Sequence, residues 1–339
     1  MENARAYNKT FFLIAATAIA AAVFLNVTLD IHRVFGVCGW NRKYLDEDVG
    51  FLKIKYLKTH RDYDAFVVGS SRANYLDARM ASELSGHRYY SLAEPAEKID
   101  RISRTMQWVV REGIPVKQVI VCLDFDTLFL SPDLSDSILS TKAHPEVTGE
   151  SWIDFYPSYL FQFDGRDYKK FLKRTPPGYW TKNFRLDVVS GHWFLPDWDR
   201  QIAQDPEKYL KETFYQTTYE RGQGRIPVNL ERLKALLGFL DAQGIRRIVV
   251  INPCNYSLFK TFDRREYRQW IRAVTMICGR VWDFSGPNAV TRDDHLYYET
   301  SHFRWPVGDE VLKVIFGAPD ARKDFGVLLK KEDVSWDPA

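Results

Sequence analysis

The chain alternates short apolar runs with stretches in which apolar residues recur at helical spacing. The apolar runs predict five strands, at residues 65–68, 88–92, 117–123, 247–251 and 281–284. The helical spacing predicts helices at residues 76–84, 97–112, 227–243, 267–277 and 306–316. Strands and helices that alternate in this way predict an α/β fold with a mostly parallel sheet covered on both faces. Functional side chains in such sheets gather at the carboxyl ends of the strands.

The N-terminal segment differs from the rest of the chain. Residues 10–29 (TFFLIAATAIAAAVFLNVTL) carry no charge and are long enough to cross a bilayer as one helix. A cleaved signal peptide is the alternative, because Ala18-Ile19-Ala20 resembles a cleavage site. The apolar stretch continues beyond that point to Leu25, which favours an uncleaved anchor. Orientation is not fixed by the flanking charges, since positive residues also follow the span at Lys53, Lys55 and Lys58.

The alternation of strands and helices is interrupted between residues 130 and 225. This stretch contains turn formers such as Pro176-Pro177-Gly178 and few long apolar runs, which indicates a large insertion or lid over the strand ends. The predicted organisation is therefore an anchor at 1–30, a core made of 31–129 and 226–320, an insertion at 130–225 and a C-terminal tail at 321–339.

Charge and cysteine usage exclude several classes of protein. A net charge of +3 gives no electrostatic footprint for nucleic acid. The four cysteines, at 38, 122, 254 and 278, form no CxxC pair, and Cys122 lies inside an apolar run as a small buried hydrophobe would. Dinucleotide, P-loop and HExxH motifs are absent, and the histidines lack metal-ligand spacing. We therefore expect neither a cofactor nor a metal site.

Two motifs at opposite ends of the chain carry the candidate chemistry. Gly69-Ser70-Ser71 follows the first predicted strand, and Glu299-Thr300-Ser301-His302 precedes the last predicted helix. A serine on a tight turn and a late histidine with a carboxylate three residues before it can supply nucleophile, base and orienting acid. The alternatives are a turn serine that caps the next segment, a structural histidine and a solvated glutamate.

These motifs and the order of the elements around them resemble the SGNH (GDSL-type) hydrolase superfamily. The similarity is to its membrane-anchored bacterial branch, the DltD- and AlgX/AlgJ-type proteins of cell-surface polymer acylation. It covers residues 60–125 and 227–316, and the insertion has no counterpart. The resemblance implies a flavodoxin-like three-layer α/β/α core. It also implies that Ser71 is the nucleophile, His302 the general base and Glu299, where the family usually has Asp, the orienting acid.

The resemblance also indicates where an oxyanion hole would lie, and the chain departs from the family there. Backbone amides of Ser71 and Arg72 are candidate donors, and an amide at Ala93 or Glu94 stands where the family has Gly. Asp124 and Asp126 follow the third strand where the family has Asn, and an ionised carboxylate cannot donate. These acids could instead bind substrate by orienting a sugar hydroxyl, or cap a turn. Asn252 or Asn255 could supply a side-chain amide or form a turn. Arg72 could contact an anionic glycan or acyl carrier, or pair with a nearby acid.

The function that these residues predict is serine-dependent acyl transfer on a cell-surface or exported polysaccharide, by an acyltransferase or an esterase. A membrane-bound acyltransferase partner would be the acyl donor. The resemblance and the single anchor imply a bacterial inner-membrane protein whose main domain is periplasmic. The principal alternative is a catalytically idle SGNH-like domain that binds glycan or a membrane acyltransferase partner, favoured by the missing Gly and Asn and by Glu299 in place of Asp. A plain lipase would need an apolar acyl groove, which the sequence does not indicate.

Overall fold

The apolar runs form the strands of the fold. The structure is a computed structural model that describes residues 2–37, 49–130, 143–161, 165, 168–169, 185–218 and 224–333. Its strands are β1 (Ala65–Val68), β2 (Tyr89–Ser91), β3 (Gln118–Leu123), β4 (Arg185–Asp187), β5 (His192–Phe194), β6 (Arg246–Ile251), β7 (Arg280–Asp283) and β8 (Val327–Lys330). Cys38, residues 131–142, most of 162–184 and residues 334–339 lie outside the described part, so the expectations for them stay open.

Six of these strands pair in the order β2-β1-β3-β6-β7-β8. The first five run parallel, and β8 pairs antiparallel with β7. The expected α/β fold with a mostly parallel sheet is confirmed. Parallel strands need long crossover connections, and those from β1 to β2, β2 to β3 and β6 to β7 contain helices.

Apart from the largely exposed N-terminal helix, the helices bury apolar side chains against the sheet and against each other. They are α1 (Glu2–Leu29), α2 (Val49–Leu57), α3 (Ala78–Ser85), α4 (Ile99–Arg111), α5 (Pro145–Thr148), α6 (Trp152–Leu160), α7 (Pro196–Gln204), α8 (Pro206–Glu212), α9 (Arg225–Ala242), α10 (Tyr256–Phe259), α11 (Arg264–Cys278) and α12 (Trp305–Phe316). One apolar cluster joins α4, α9 and α11 to alternate residues of β1 and β3, such as Phe66 and Val119. A second cluster joins α3 and α12 to the intervening residues, such as Val67 and Ile120.

The apolar pattern does not predict every element of the fold. The expected tail is wrong for Val327–Lys330, which is the edge strand β8; its run is short and its side chains are partly exposed, so little of a buried-strand pattern is present. The β4–β5 hairpin has three-residue strands and lies beside β2, where the Ser91 amide donates to the Ser190 carbonyl (2.9 Å). Helix α2 is not among the expected helices; it carries Lys53 and Lys55 between its apolar residues, and Lys53 is fully buried.

Helix α1 is long enough and apolar enough to span a membrane, and it is the one such helix among the described residues. Its residues from 6 to 25 are exposed or half-exposed, and Asn26 is the first buried residue. The coarse expectation of one N-terminal apolar helix consistent with single-pass anchoring is confirmed.

We expect Gly308→Ala to destabilise the fold strongly. A Cβ at Gly308, in α12, would lie 1.7 Å from the Tyr75 carbonyl oxygen, so α12 and the segment after β1 would have to separate. Overpacking costs about 1–3 kcal/mol and occasionally more, and a contact this close to backbone should lie at the upper end of that range. The matched control is Gly238→Ala in α9, where a Cβ meets nothing within 4 Å and the variant should gain about 0.5–1 kcal/mol. Denaturant unfolding of the detergent-solubilised chain measures both; equal stability of the two variants would contradict the close contact.

Candidate active site

The serine motif forms a tight turn where β1 meets a short 3-10 helix. A Cβ at Gly69 would lie 2.8 Å from the Cys122 carbonyl oxygen, so only glycine fits this close approach to β3. Ser70 is the N-cap of the 3-10 helix Ser71–Tyr75; its side-chain oxygen accepts from the Arg72 amide (3.3 Å) and its hydroxyl donates to Asp124. Ser70 is therefore buried and has a structural role, whereas Ser71, at the first position of the helix, is partly exposed.

The histidine motif forms a loop before α12. Tyr297 and Phe303 form an isolated antiparallel bridge, and the Tyr298 amide donates to the His302 carbonyl (2.9 Å). Glu299 faces inward in this loop, where its carboxylate accepts the amides of Ser301 (2.6 Å) and His302 (3.1 Å). The loop thus fixes the Glu299 carboxylate through its own backbone.

Three side chains from the two motifs form one hydrogen-bonded series. The Ser71 Oγ lies 2.6 Å from the His302 Nε2, and the His302 Nδ1 contacts the Glu299 Oε1. Because the carboxylate faces Nδ1, the proton of a neutral ring belongs on Nδ1, and Nε2 can accept from Ser71. The side chain of His302 is 26% exposed and that of Glu299 only 2%. The predicted residues Ser71 and Glu299 therefore both contact His302, one on each ring nitrogen, and Ser71 is partly exposed.

Glu299 is held in its ionised form. Its burial opposes ionisation, but the His302 ring, the Ser301 amide and the charge of Arg72 together hold the pKa of Glu299 below its usual value. A carboxylate that stays ionised can orient the ring and stabilise its cation.

A buried network around Arg72 connects the two motifs. The Arg72 guanidinium donates to both oxygens of Asp126 (2.6 Å each) and lies 3.1 Å from Asp124. It also donates to the carbonyl (2.7 Å) and hydroxyl (2.8 Å) of Ser301, next to His302. Arg72 is 2% exposed. Of the two roles considered for Arg72, the geometry favours pairing with nearby acids.

Most of the other groups expected to donate to an oxyanion already donate hydrogen bonds to other groups of the protein. The side-chain amide of Asn252 donates to Asp124 (2.9 Å), and that of Asn255 donates to Asp294 (2.8 Å) while its oxygen caps α10. The Glu94 amide donates to the Gly69 carbonyl (3.2 Å), and the Arg72 amide donates to Ser70.

Two of the expected backbone donors, the amides of Ser71 and Ala93, make no such hydrogen bond within the described part of the chain. The Ser71 amide is at the start of a helix, where no intrahelical acceptor exists. The Ala93 amide has no acceptor among the residues that the structure describes.

Sequence reasoning missed a second buried charge cluster beside the site. Lys53, from α2, donates to the Ala93 carbonyl and lies 4.9 Å from the centre of the Trp193 ring. Burial lowers the pKa of Lys53 to about 7, although Glu94 and Glu97 oppose the shift. Burial also raises the pKa of Glu97 to about 7. No sequence signal marks Lys53, because a lysine between apolar helix residues is usually solvated.

The segment after α8 lies against the histidine loop. The Thr217 amide donates to the Thr300 hydroxyl (2.9 Å), and the Thr300 amide donates to the Tyr215 carbonyl (3.3 Å). Tyr209, in α8, donates its hydroxyl hydrogen to the Tyr298 carbonyl (2.8 Å). This segment therefore supports the loop that carries Glu299 and His302.

Neither of two surface cavities, of about 330 and 190 Å³, is lined by the three residues of the series. The smaller cavity is lined by Asp126 and by residues 216–218 of the segment after α8. In the described part of the chain, no group of three His, Cys, Asp or Glu side chains is arranged to hold a metal ion.

Comparison of the chain with protein-family models gives no match, and comparison with curated proteins gives none either. The functional proposal therefore depends on the geometry of the site.

We expect the stability contributed by position 53 to depend on pH. Between about pH 7 and 10.5 the unfolded chain keeps a proton on Lys53 that the folded protein releases. The free energy of unfolding rises with pH when the unfolded state binds more protons. The difference in this free energy between wild type and Lys53→Met should therefore shift in favour of wild type by up to about 1.4 kcal/mol per pH unit. Urea unfolding in detergent at several pH values checks this, with the exposed Lys208→Met as control. A wild-type advantage that stays flat or falls over this range would contradict a depressed pKa.

Proposed function

We propose that this protein is a membrane-anchored SGNH-type enzyme that transfers acyl groups through an acyl-Ser71 intermediate, as an O-acyltransferase or esterase of a cell-surface or exported polysaccharide. The observation that carries the proposal is the contact series from Ser71 through His302 to Glu299. Serine, histidine and carboxylate in this order, with a partly exposed hydroxyl, are the parts of a nucleophilic acyl-transfer site.

The fold supports the same proposal. The parallel strands follow the order β2-β1-β3-β6-β7, which corresponds to the flavodoxin-like order, and Ser71 follows the carboxyl end of β1. Apolar clusters on both faces of the sheet fit a three-layer SGNH core. Residues 130–225 would be the insertion of this core, with α1 as its anchor and the main domain on the periplasmic side of a bacterial inner membrane.

The reaction would proceed in two half-reactions. The His302 Nε2 takes the proton of the Ser71 hydroxyl while its oxygen attacks the acyl carbonyl, and Glu299 stabilises the imidazolium that forms. His302 then returns the proton to the leaving group, and the acyl group stays on Ser71. In the second half-reaction His302 takes the proton of a sugar hydroxyl or water, whose oxygen attacks the acyl carbon. The bond to the Ser71 oxygen breaks, and His302 returns the proton to that oxygen. Amides of Ser71 and Ala93 are the donors we assign to the oxyanion.

An open site suits a polymer substrate or an acyl donor carried by a membrane-bound partner. Ser71 lines neither of the two surface cavities, so neither cavity is an acyl groove of the kind a plain lipase would use.

The second candidate function is a catalytically idle module that binds glycan or a partner protein. The observation that favours it is the state of Asn252, whose side-chain amide is directed to Asp124 rather than towards Ser71. Without a side-chain amide at the oxyanion, tetrahedral intermediates would have only backbone donors.

A fluorophosphonate probe distinguishes the two candidates, because it reacts only with an activated nucleophile. The full chain in detergent should be labelled at Ser71, and Ser71→Ala and His302→Ala should lose the label. His87→Ala is a matched control, since His87 also contacts a carboxylate, that of Asp64 (3.2 Å), and its side chain is also 26% exposed. Mass spectrometry locates the adduct. No labelling of a well-folded wild type would count against catalysis and favour the binding module.

Glu299 should act by orienting and charging the histidine ring. We expect Glu299→Gln to slow labelling by about 10²-fold or more, because an amide cannot stabilise the imidazolium. Glu299→Asp should retain much of the rate, since triads accept either acid. Labelling rates of the folded variants provide the measurement, and equal rates for Gln and Asp would remove Glu299 from the mechanism.

A further inference from the structure

The length of α1 that projects from the rest of the protein matches a membrane. Residues 6–25 are exposed or half-exposed, and burial begins at Asn26. These residues, as a helix, span about 30 Å, which is the thickness of the hydrocarbon core of a bilayer. If α1 crosses the membrane, the surface of the folded domain next to Asn26 therefore lies at the level of the lipid headgroups.

Helix α6 lies at that level, next to the end of α1. The side-chain amide of Asn26 donates to the Leu160 carbonyl (2.7 Å). Two ring contacts join α6 to the turn that follows α1: His32 with Tyr159 at 5.3 Å, and Phe35 stacked on Tyr156 at 5.9 Å between ring centres. The end of α1 is therefore held against α6 by polar and aromatic contacts rather than attached by a flexible linker.

Three large apolar side chains of this region are exposed, next to exposed polar ones such as Asp154. Phe161, directly after Leu160, is 62% exposed, Ile153 is 82% exposed and Trp152 is 37% exposed. The inner side of α6 is also apolar, because Phe155 is buried against Phe51. Exposed large apolar side chains grouped together mark an interaction surface.

We propose that Trp152, Ile153 and Phe161, named here the α6 surface, rest in the lipid interface beside the transmembrane helix. Continuity with the apolar span of α1 favours lipid over a protein as the occupant. Aromatic side chains are enriched at the headgroup level of membranes, and apolar residues of a helix lying in the interface insert into it. Asp154 is exposed on the same helix, which keeps α6 at headgroup depth. The α/β domain is thereby held on the membrane in one orientation.

The test uses the full chain in phosphatidylcholine nanodiscs, with Cys38→Ser as background because the described cysteines 122, 254 and 278 are buried. An NBD fluorophore is attached at Ile153→Cys or at Phe161→Cys. The matched control is Val327→Cys on β8, a site that is 59% exposed. Emission at 153 and 161 should shift to the blue and lose intensity when the lipid carries a doxyl quencher, and emission at 327 should do neither.

Two results would overturn the proposal. In the first, labels at 153 and 161 behave like the label at 327 and are quenched by aqueous iodide, which means that the surface faces water. In the second, they are protected from iodide without quenching by doxyl lipid, which means that a second copy of the chain covers them. All three sites are exposed, so the substitutions leave the fold intact, and the result does not depend on the catalytic proposal.

Discussion

The buried guanidinium of Arg72 is the contact on which the geometry of the site depends. Ser71 and His302 are 231 positions apart in the sequence. Arg72 directly follows Ser71, and its side chain donates two hydrogen bonds to Ser301, which directly precedes His302. Two carboxylates offset the loss of hydration of this charge. Removing one partner of such a buried pair costs about 3–5 kcal/mol, whereas an apolar replacement of the whole set is often neutral. The network therefore contributes the alignment of the two motifs rather than a large net stability.

The same network explains why the site departs from the expected set of oxyanion donors. Asp124 accepts from Ser70 and Asn252 as well as from Arg72, so it joins the carboxyl ends of β1, β3 and β6. An asparagine at 124 would remove one of the two carboxylates that face Arg72. The Asp124 carboxylate, which stabilises the turn, thus accepts the side-chain amide of Asn252. That amide is then not available to an oxyanion, for which backbone donors remain.

Sequence patterns predicted those parts of the structure that depend on local chemistry. Buried parallel strands must be apolar throughout, which is why β1, β3 and β6 were recognised, and a tight turn with glycine marked Ser71. The partners of Arg72 could not be predicted, because carboxylates after a strand are equally common on solvated turns. Lys53 reads in the sequence as part of the charge flanking the anchor, yet it is buried. Its acidic neighbours, Glu94 and Glu97, come from a distant segment, so no local pattern indicates the burial. The edge strand β8 could not be predicted from the sequence either, because half-exposed strands lack a full apolar pattern.

Segments of the stretch between residues 130 and 225 contact both the end of α1 and the loop that carries Glu299 and His302. Helix α6 holds the end of α1 through Leu160, and residues 215–217 of the same stretch support the loop of Glu299 and His302. If α1 spans the membrane, the height of Ser71 above the lipid is then set by packing within folded segments and not by the length of a linker. A fixed height matters for acyl transfer from a membrane-bound donor, because a productive collision needs the acyl carbon within bonding reach of one oxygen atom. Water exclusion during the second half-reaction would depend on the acceptor that covers this open site, which is where transfer and hydrolysis diverge.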